Sequence, residues 1–341
     1  MIFRALTPCI SAALMLSGCA TNDALFPPAI ESDFADPFVL VAEDTLYAYS
    51  TNTGGVNLPM ARASSLTEWQ ILRNADGTVR DAMPTLAPWV VKHFTWAPEV
   101  IALGDEYLLY YTAREGASGR QCIGLAVAND PMGPFVDTSD APLLCQRDLG
   151  GTIDANPFRD TDGQLYLYFK NDGNAVGAET EIWVQKLSDD GRMVLGEASA
   201  LATNDQPWEE HVIEAPTMAR LDGQHVLFFS ANHFGWEDHQ RLSPYAMGYA
   251  LCDGPLGPCR DAPSNPILSS INEGDRCLSG PGHQSLFRWQ GEVYLSFHAW
   301  GAQLDCRDRG KGRFLHFGRM VSDDGRYRIE PLFVRPAASS R

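Results

Sequence analysis

The sequence predicts an all-β protein built as a single five-bladed β-propeller. A phrase that joins a small or acidic cluster to Pro, followed by an aromatic-rich strand, occurs five times along the chain. Asp-Gly pairs such as Asp162-Gly163 and Asp222-Gly223 separate the short strands and favour β-hairpins. Helical periodicity is nearly absent. Matched internal repeats of short strands are typical of radially arranged modules.

Each phrase predicts the start of the innermost strand of one blade, and a second strand follows it. In chain order the phrases are Ala35-Asp36-Pro37-Phe38, Trp96-Ala97-Pro98-Glu99, Ile153-Asp154-Ala155-Asn156-Pro157, Ile213-Glu214-Ala215-Pro216 and Gly280-Pro281-Gly282-His283. The strands that follow them are Leu46-Tyr47-Ala48-Tyr49, Tyr107-Leu108-Leu109-Tyr110-Tyr111, Leu165-Tyr166-Leu167-Tyr168-Phe169, Val226-Leu227-Phe228-Phe229 and Val293-Tyr294-Leu295-Ser296-Phe297.

The spacing of the phrases favours a propeller over a sandwich. Asp36 and Asp154 are 118 positions apart over two repeats, and Asp154 and Glu214 are 60 apart over one. A unit of this length holds four strands and one longer loop, and a sandwich would not produce five matched phrases. We expect one domain over residues 33–336 and a short tail over residues 337–341.

The first residues predict a targeting segment, not part of the fold. Arg4 precedes a short apolar run over residues 6–16, which is too short to span a bilayer as a helix. Leu16-Ser17-Gly18-Cys19 resembles the lipobox of bacterial lipoproteins. We therefore expect a signal peptide over residues 1–18, a lipidated Cys19, a tether over residues 19–32, and an exported protein anchored by lipid to the bacterial cell envelope. An ordinary secretory peptide is the alternative.

Six cysteines remain after Cys9 and Cys19 of the leader. An exported protein favours disulfides, and the zinc alternative lacks any CxxC pair. Six cysteines allow fifteen pairings, and closeness in sequence favours three local bridges. The expected bridges are Cys122 with Cys145, Cys252 with Cys259, and Cys277 with Cys306.

The net charge excludes one class of partner. A formal charge of -17 argues against nucleic acid, whose phosphates require a basic surface. No second apolar stretch is long enough to cross a membrane, so we expect membrane contact only through the lipid anchor.

Three of the five phrases carry a carboxylate before the Pro: Asp36, Asp154 and Glu214. The innermost strands of a propeller line one channel, so equivalent positions on different blades face each other. Cleavage of a glycosidic bond needs one protonated carboxyl group as the acid and one ionised carboxylate as the base. A third acid nearby raises the pKa of the proton donor by like-charge repulsion. For each carboxylate alone, a turn residue beside Pro is the competing interpretation.

These phrases, with Gly151-Thr152-Ile153-Asp154 and Phe297-His298-Ala299-Trp300, resemble glycoside hydrolase family 43, five-bladed propellers that act on arabinose- and xylose-containing glycans. The resemblance implies that Asp36 is the general base, that Glu214 is the general acid, and that Asp154 orients Glu214 and raises its pKa. It also implies inversion at the anomeric carbon and no cofactor for the chemistry.

Other residues carry weaker expectations. Trp96 is either a platform for a sugar face or a core residue. Arg313 resembles an arginine that binds sugar hydroxyls in the family, with a surface position as its alternative. His283 corresponds to a channel histidine that binds substrate or Ca²⁺, or it is simply a buried, hydrogen-bonded histidine. We expect a structural role for His298 and a supporting position behind the catalytic residues for Glu99.

Ala35 stands where endo-arabinanases of this family carry His, which favours an exo-acting enzyme. The expected function is removal of α-L-arabinofuranosyl units from oligosaccharides or hemicellulose. The alternatives are a β-xylosidase or an endo-1,5-α-L-arabinanase with the same chemistry, and a catalytically silent glycan-binding propeller.

Overall fold

The computed structural model describes residues 26–236, 240–273, 276–302 and 306–332. Within these residues the chain is all-β, without α-helices, and forms the predicted five-bladed propeller. The predicted signal peptide, the lipidation site Cys19 and the tail at 337–341 lie outside the described residues.

The five blades are antiparallel sheets that follow one another along the chain. Blade 1 contains β2 (Phe38–Ala42), β3 (Thr45–Tyr49), β4 (Met60–Ala63) and β5 (Gln70–Ile71). Blade 2 contains β6 (Val90–Leu103), β7 (Glu106–Glu115) and β8 (Gln121–Ala128). Blade 3 contains β9 (Thr152–Arg159), β10 (Leu165–Asn171), β11 (Glu181–Leu187) and β12 (Val194–Thr203). Blade 4 contains β13 (Ile213–Leu221), β14 (Gln224–Ala231), β15 (Ala246–Cys252) and β16 (Cys259–Asp261).

Blade 5 uses both ends of the described chain. It contains β17 (Ile271–Glu273), β18 (Arg276–Trp289), β19 (Glu292–Trp300), β20 (Arg313–Asp323), β21 (Arg326–Pro331) and β1 (Pro28–Ile30). Both β1 and β21 pair with β20, so the N-terminal strand joins the last blade to the ring. Residues 28–30 were expected in the tether. A three-residue strand beside Pro27 is too short to show the alternation that predicts a strand.

The first strands of neighbouring blades contact each other all the way around the ring, so that β2, β6, β9, β13 and β18 surround the central channel. Five clusters of buried apolar side chains fill the five interfaces between adjacent blades. On β14, Val226 and Phe228 pack toward blade 5, whereas Leu227 and Phe229 pack toward blade 3. The second strand of a blade is therefore apolar on both faces, which explains its continuous apolar sequence.

The six cysteines outside the leader form the three expected disulfides. Cys122 pairs with Cys145, Cys252 with Cys259, and Cys277 with Cys306. Among the described residues, no helix has the length and apolarity that a membrane span requires.

Candidate active site

In each of the five phrases, one residue other than glycine has a left-handed backbone, within the inner strand or just before it. These residues and their φ values are Asp36 at 52°, Ala97 at 43°, Asp154 at 57°, Ala215 at 53° and His283 at 51°. The pairing register shifts around four of them, in β6, β9, β13 and β18. A bulge bends the strand and re-aims the neighbouring side chains, so the five phrases share one local geometry.

The backbone N–H groups of these residues link each blade to the preceding one. In four cases the acceptor is a side chain at the end of the preceding blade's second strand: Ala97 N–H donates to Thr51 Oγ1 at 3.0 Å, Asp154 N–H to Thr112 Oγ1 at 3.1 Å, His283 N–H to Ser230 Oγ at 2.8 Å, and Asp36 N–H to His298 Nδ1 at 3.2 Å.

Blade 3 departs from this pattern. Its residue at the acceptor position is Lys170, which lies opposite Ile153 just as Thr112 lies opposite Trp96. An ammonium group has no acceptor lone pair, so Lys170 cannot receive the N–H group of Ala215. Oδ2 of Asp154 accepts that hydrogen bond instead, at 3.0 Å.

Glu214 is offset by one residue from the other two carboxylates. Asp36 and Asp154 occupy the left-handed position themselves, whereas Glu214 precedes the left-handed Ala215. The expectation of three equivalent positions therefore holds for two of the three acids. Aligning the phrases on Asp36-Pro37 and Ala215-Pro216 would have revealed this offset from sequence.

All six predicted site residues nevertheless line one cavity of about 430 Å³. Residues from the inner strands of all five blades contribute to it, which locates the cavity on the propeller axis. The predicted residues in its wall are Asp36, Trp96, Asp154, Glu214, His283 and Arg313.

The carboxylate of Asp36 contacts an arginine, two histidines and a threonine. Arg313 donates to its Oδ1 at 3.0 Å, and Nδ1 of His283 and of His298 lie 3.4 and 3.2 Å from the same oxygen. Thr51 donates to Oδ2. Burial acts to raise the pKa of Asp36, but Arg313, followed by His283, holds that pKa well below its usual value. Asp36 is therefore ionised, as a general base must be.

Glu214 accepts two strong hydrogen bonds. Lys170 Nζ, which is fully buried, donates to Oε2 at 3.1 Å, and the hydroxyl of Tyr245 donates to Oε1 at 2.7 Å. Burial acts to raise the pKa of Glu214, but Lys170 and then Tyr245 bring it below its usual value. Lys170 also donates to Asn174 at 2.7 Å.

Asp154 and Glu214 form a pair of interacting carboxyl groups, and Asp154 is the one whose pKa is raised. Burial, with a contribution from the neighbouring Glu214, raises the pKa of Asp154 to about 6. We expected Asp154 to raise the pKa of Glu214. Without substrate, the pKa of Glu214 is lowered instead, because Lys170 contacts Glu214 directly. Of these two carboxyl groups, Asp154 therefore retains a proton to higher pH than Glu214 does.

His298 is more closely tied to the site than a structural role implied. It is fully buried, it contacts Asp36 and it lines the cavity. Burial lowers the pKa of His298 to about 4, so its imidazole is neutral and positions Asp36 without adding charge. Glu99 has the supporting position expected of it: it accepts a hydrogen bond from Asn156 at 2.6 Å, and burial raises its pKa well above the usual value.

The expected Ca²⁺ at His283 stays a prediction. His283 also lines a small cavity beneath the site together with Glu99 and Asp154. Ca²⁺ takes six to eight oxygen ligands. Among the described residues, none of the clusters of three potential metal ligands includes His283, so a cation there would depend mostly on water.

Four further residues of the site escaped the sequence analysis: Lys170, Tyr245, Thr51 and Phe234. Lys170 had a visible signal, because it is the one basic residue in the otherwise apolar and polar-neutral run of β10. Phe234 lies in the segment after β14, is 46% exposed and lies under the guanidinium of Arg313, 5.6 Å from ring centroid to Cζ.

The comparisons with known proteins agree with this geometry. The model of glycosyl hydrolases family 43 matches residues 27–326. The chain belongs to glycosyl hydrolase family 43. It is therefore a glycoside hydrolase, and the family's chemistry requires no cofactor.

The relatives of this family 43 chain have differing activities. It is 26% identical over 302 residues to a β-D-galactofuranosidase, xynD, of Aspergillus niger, covering 83% of this chain and 79% of the relative. It is also 26% identical over 312 residues to an extracellular exo-α-(1→5)-L-arabinofuranosidase, ArbA, of Cellvibrio japonicus, covering 85% of each. The crystal structure of a thermostable family-43 glycoside hydrolase superposes with a TM-score of 0.75 at 26% identity, covering 91% of this chain and 97% of that one.

Proposed function

We propose that this family 43 enzyme is an inverting, exo-acting glycosidase that removes terminal α-L-arabinofuranosyl units from oligosaccharides or hemicellulose side chains. The observation that carries the proposal is the convergence of Asp36, Asp154 and Glu214 on one cavity. An ionised Asp36 and a carboxyl pair that retains a proton, Asp154 with Glu214, face the same 430 Å³ space. Inversion requires one base and one acid across a single glycosidic bond.

In the proposed reaction, Asp36 accepts a proton from water as the water oxygen attacks the anomeric carbon. Glu214 donates a proton to the departing glycosidic oxygen, and its bond to the anomeric carbon breaks. Arg313, His283 and Thr51 keep Asp36 ionised and oriented for this step. The cycle ends when solvent removes the proton from Asp36 and returns one to the pair.

The pair must deliver its proton through Glu214, although Asp154 holds it without substrate. Exclusion of water by the glycan disfavours a charged Glu214 and thereby raises its pKa. The hydrogen bond from Ala215 N–H to Asp154 Oδ2 stabilises the Asp154 carboxylate once its proton has left. We propose that substrate binding moves the proton from Asp154 to Glu214, which replaces the simpler role that the sequence suggested for Asp154.

Two observations support the choice of an exo-acting arabinofuranosidase. Ala35 precedes the base where endo-arabinanases of the family commonly have His. In addition, one relative whose match covers 85% of its length is an exo-α-(1→5)-L-arabinofuranosidase. Trp96, Phe234 and Arg313 also line the cavity, where their side chains could contact a sugar.

A substrate panel tests the specificity. We expect release of nitrophenol from the α-L-arabinofuranoside to exceed release from the β-D-xyloside and the β-D-galactofuranoside by at least tenfold in kcat/KM. We expect little loss of viscosity from debranched arabinan. A preference for xyloside or galactofuranoside, or rapid loss of arabinan viscosity, would replace the proposed substrate while leaving the catalytic assignment intact.

Two isosteric variants test the catalytic assignment. Asp36→Asn and Glu214→Gln are each expected to lower kcat by roughly 10²–10⁴-fold, because each removes one proton transfer. Both should retain the melting temperature of the parent to within a few degrees. Full turnover by Glu214→Gln on any substrate of the panel would contradict the assignment. Absence of turnover by the parent chain on every substrate would favour a silent glycan-binding propeller.

We also infer that the protein is exported and held on the cell envelope through Cys19. The lipobox-like Leu16-Ser17-Gly18-Cys19 and three disulfides support this proposal. In a bacterial host, the parent chain should fractionate with membranes and Cys19→Ala with the soluble fraction. Equal partition of the two chains would argue against the anchor.

A further inference from the structure

A second acidic cluster lies away from the active cavity, at the junction of blades 3 and 4. Asp205 follows β12, Asp261 ends β16, and Glu209 lies in the segment that connects the two blades. One carboxylate oxygen of each residue lies within 4.8 Å of those of the other two. Three like charges at this separation repel one another, which favours the binding of a cation or of protons.

Glu209 provides an independent indication of a ligand. Its side chain is fully buried, with 0% exposure. Oε2 accepts the backbone N–H of Gln206 at 2.9 Å, but Oε1 is buried and has no hydrogen-bond partner among the described residues. A buried carboxylate oxygen without a partner is costly, and native proteins satisfy such an atom with a proton donor or a metal ion.

No basic side chain of the described residues forms an ion pair with this cluster. Arg260 is adjacent to Asp261 in sequence, but it pairs with Asp253 at 2.9 Å on the outer surface. The side chain of Gln206 donates to Asp205 Oδ1 at 2.7 Å, which leaves the negative charge uncompensated.

We propose that Asp205, Glu209 and Asp261 form a Ca²⁺ site. The ligands are all carboxylate oxygens without His or Cys, which selects a hard cation. Three carboxylates supply up to six oxygens, and Ca²⁺ accepts six to eight in flexible geometry. Asp205 and Asp261 also line an open cleft of about 630 Å³, from which water completes the coordination.

The site would brace one wall of the active cavity. The backbone carbonyl of Glu209 accepts the N–H groups of Val212 at 3.2 Å and of Asn232 at 3.1 Å. Val212 and Asn232 both line the 430 Å³ cavity beside Glu214. A cation on Glu209 therefore stabilises the connection between blades 3 and 4 and the approach to Glu214, without taking part in the chemistry.

The proposal is tested by thermal unfolding of the full-length chain in the absence and in the presence of Ca²⁺. After treatment with a chelator and its removal, we expect Ca²⁺ at about one hundred times its Kd to raise the melting temperature by roughly 4 °C. Calorimetric titration should show one saturable Ca²⁺ site, and Mg²⁺ should give a smaller shift, because it requires near-ideal octahedral geometry.

Glu209→Gln and Asp261→Asn should each reduce the Ca²⁺-induced shift to less than a quarter. Asp189→Asn, at an exposed turn of blade 3, is the matched control and should keep the full shift. In chelator, Glu209→Gln should unfold no lower than the parent, because it removes a buried and unpartnered charge. A carboxylate with a purely structural role would instead lower the melting temperature of this variant with and without Ca²⁺.

Absence of a calorimetric signal together with an unchanged melting temperature in the parent would overturn the proposal. A Ca²⁺-induced shift that survives in both Glu209→Gln and Asp261→Asn would also overturn it, since the cation would then bind elsewhere, for example near His283.

Discussion

Lys170 is the residue on which the charge of the active site depends. Four blades place an acceptor at its position, and that acceptor binds the next blade's left-handed N–H group. Blade 3 places a fully buried ammonium there, which reaches Glu214 at 3.1 Å. Asp154 accepts the N–H group of Ala215 instead, so that Lys170 is available as the cationic partner of the proposed acid.

Replacing Lys170 with Met should raise the pKa of Glu214, because the variant removes the attraction that favours its ionised form. The basic limb of the kcat/KM profile should move upward by about one pH unit, since Glu214 would retain its proton to higher pH. A profile measured from pH 4 to 9 on nitrophenyl arabinofuranoside checks this. A basic limb that stays in place would show that Lys170 does not control Glu214.

Asp154 makes the complementary prediction for stability. Its pKa is raised to about 6 in the folded protein, and an unfolded Asp has a pKa of about 3.9. Ionising Asp154 therefore lowers the free energy of unfolding as the pH rises from about 4 to above 6. In Asp154→Asn this fall in the free energy of unfolding should not occur, because Asn does not ionise. Asn also tolerates the left-handed backbone of this position.

Between pH 4 and 7, the free energy of unfolding of the parent should fall relative to that of Asp154→Asn by roughly 2–3 kcal/mol. Urea denaturation at a series of pH values measures this difference. Curves that stay parallel across that range would contradict a raised pKa for Asp154.

At the scale of the element, the inner strand β18 determines the position of the Tyr245 ring. A Cβ atom on Gly282 would lie 2.1 Å from Cε1 of Tyr245, which is closer than any real contact. The hydroxyl of the same Tyr245 donates to Glu214 at 2.7 Å. The fifth blade therefore positions the proposed acid of the fourth through one close approach between backbone and ring.

Gly282→Ala should displace the Tyr245 ring and lower kcat by roughly tenfold to a hundredfold, because small misplacements of catalytic groups are costly. Gly254→Ala is the matched control, since a Cβ atom there meets nothing within 4 Å and the backbone is not left-handed. Initial rates at saturating substrate compare the two variants. Equal rates would show that Tyr245 does not depend on the space at Gly282.

At the scale of the whole molecule, the short strand β1 closes the ring. It pairs with β20 of the last blade, and Ile30 packs in the apolar cluster between blades 5 and 1. The two ends of the described chain thus meet in one sheet. Opening this sheet exposes an interface that includes Phe34, Phe287 and Phe317.

Ile30→Ala should lower the free energy of unfolding by roughly 2–4 kcal/mol, because Ile30 is only 6% exposed. Ile71→Ala, which removes a half-buried side chain next to the same cluster in the outer strand β5, should cost less. Urea denaturation of both variants checks this order. A smaller loss for Ile30→Ala than for Ile71→Ala would contradict the closing role of β1.

Much of the propeller was predictable because its repeats are local. The Asp-Gly turns and the paired strands of each blade depend on residues close in sequence, and so did the three disulfides. β1 was missed because three residues carry too little pattern. The offset of Glu214 was missed because the phrases were compared by their carboxylates, whereas the structure repeats the left-handed residue, which is Ala215 in blade 4.

The periodic sequence was sufficient to specify five blades and to bring Asp36, Asp154 and Glu214 toward one channel, because a propeller superposes equivalent strand positions. The charge state of those acids required the folded molecule. Asp36 owes its low pKa to Arg313 and His283, which lie more than 240 positions away in the chain, and Glu214 owes its low pKa chiefly to a lysine from another blade. Electrostatic interactions depend on distance in space, and a one-dimensional pattern does not contain that distance.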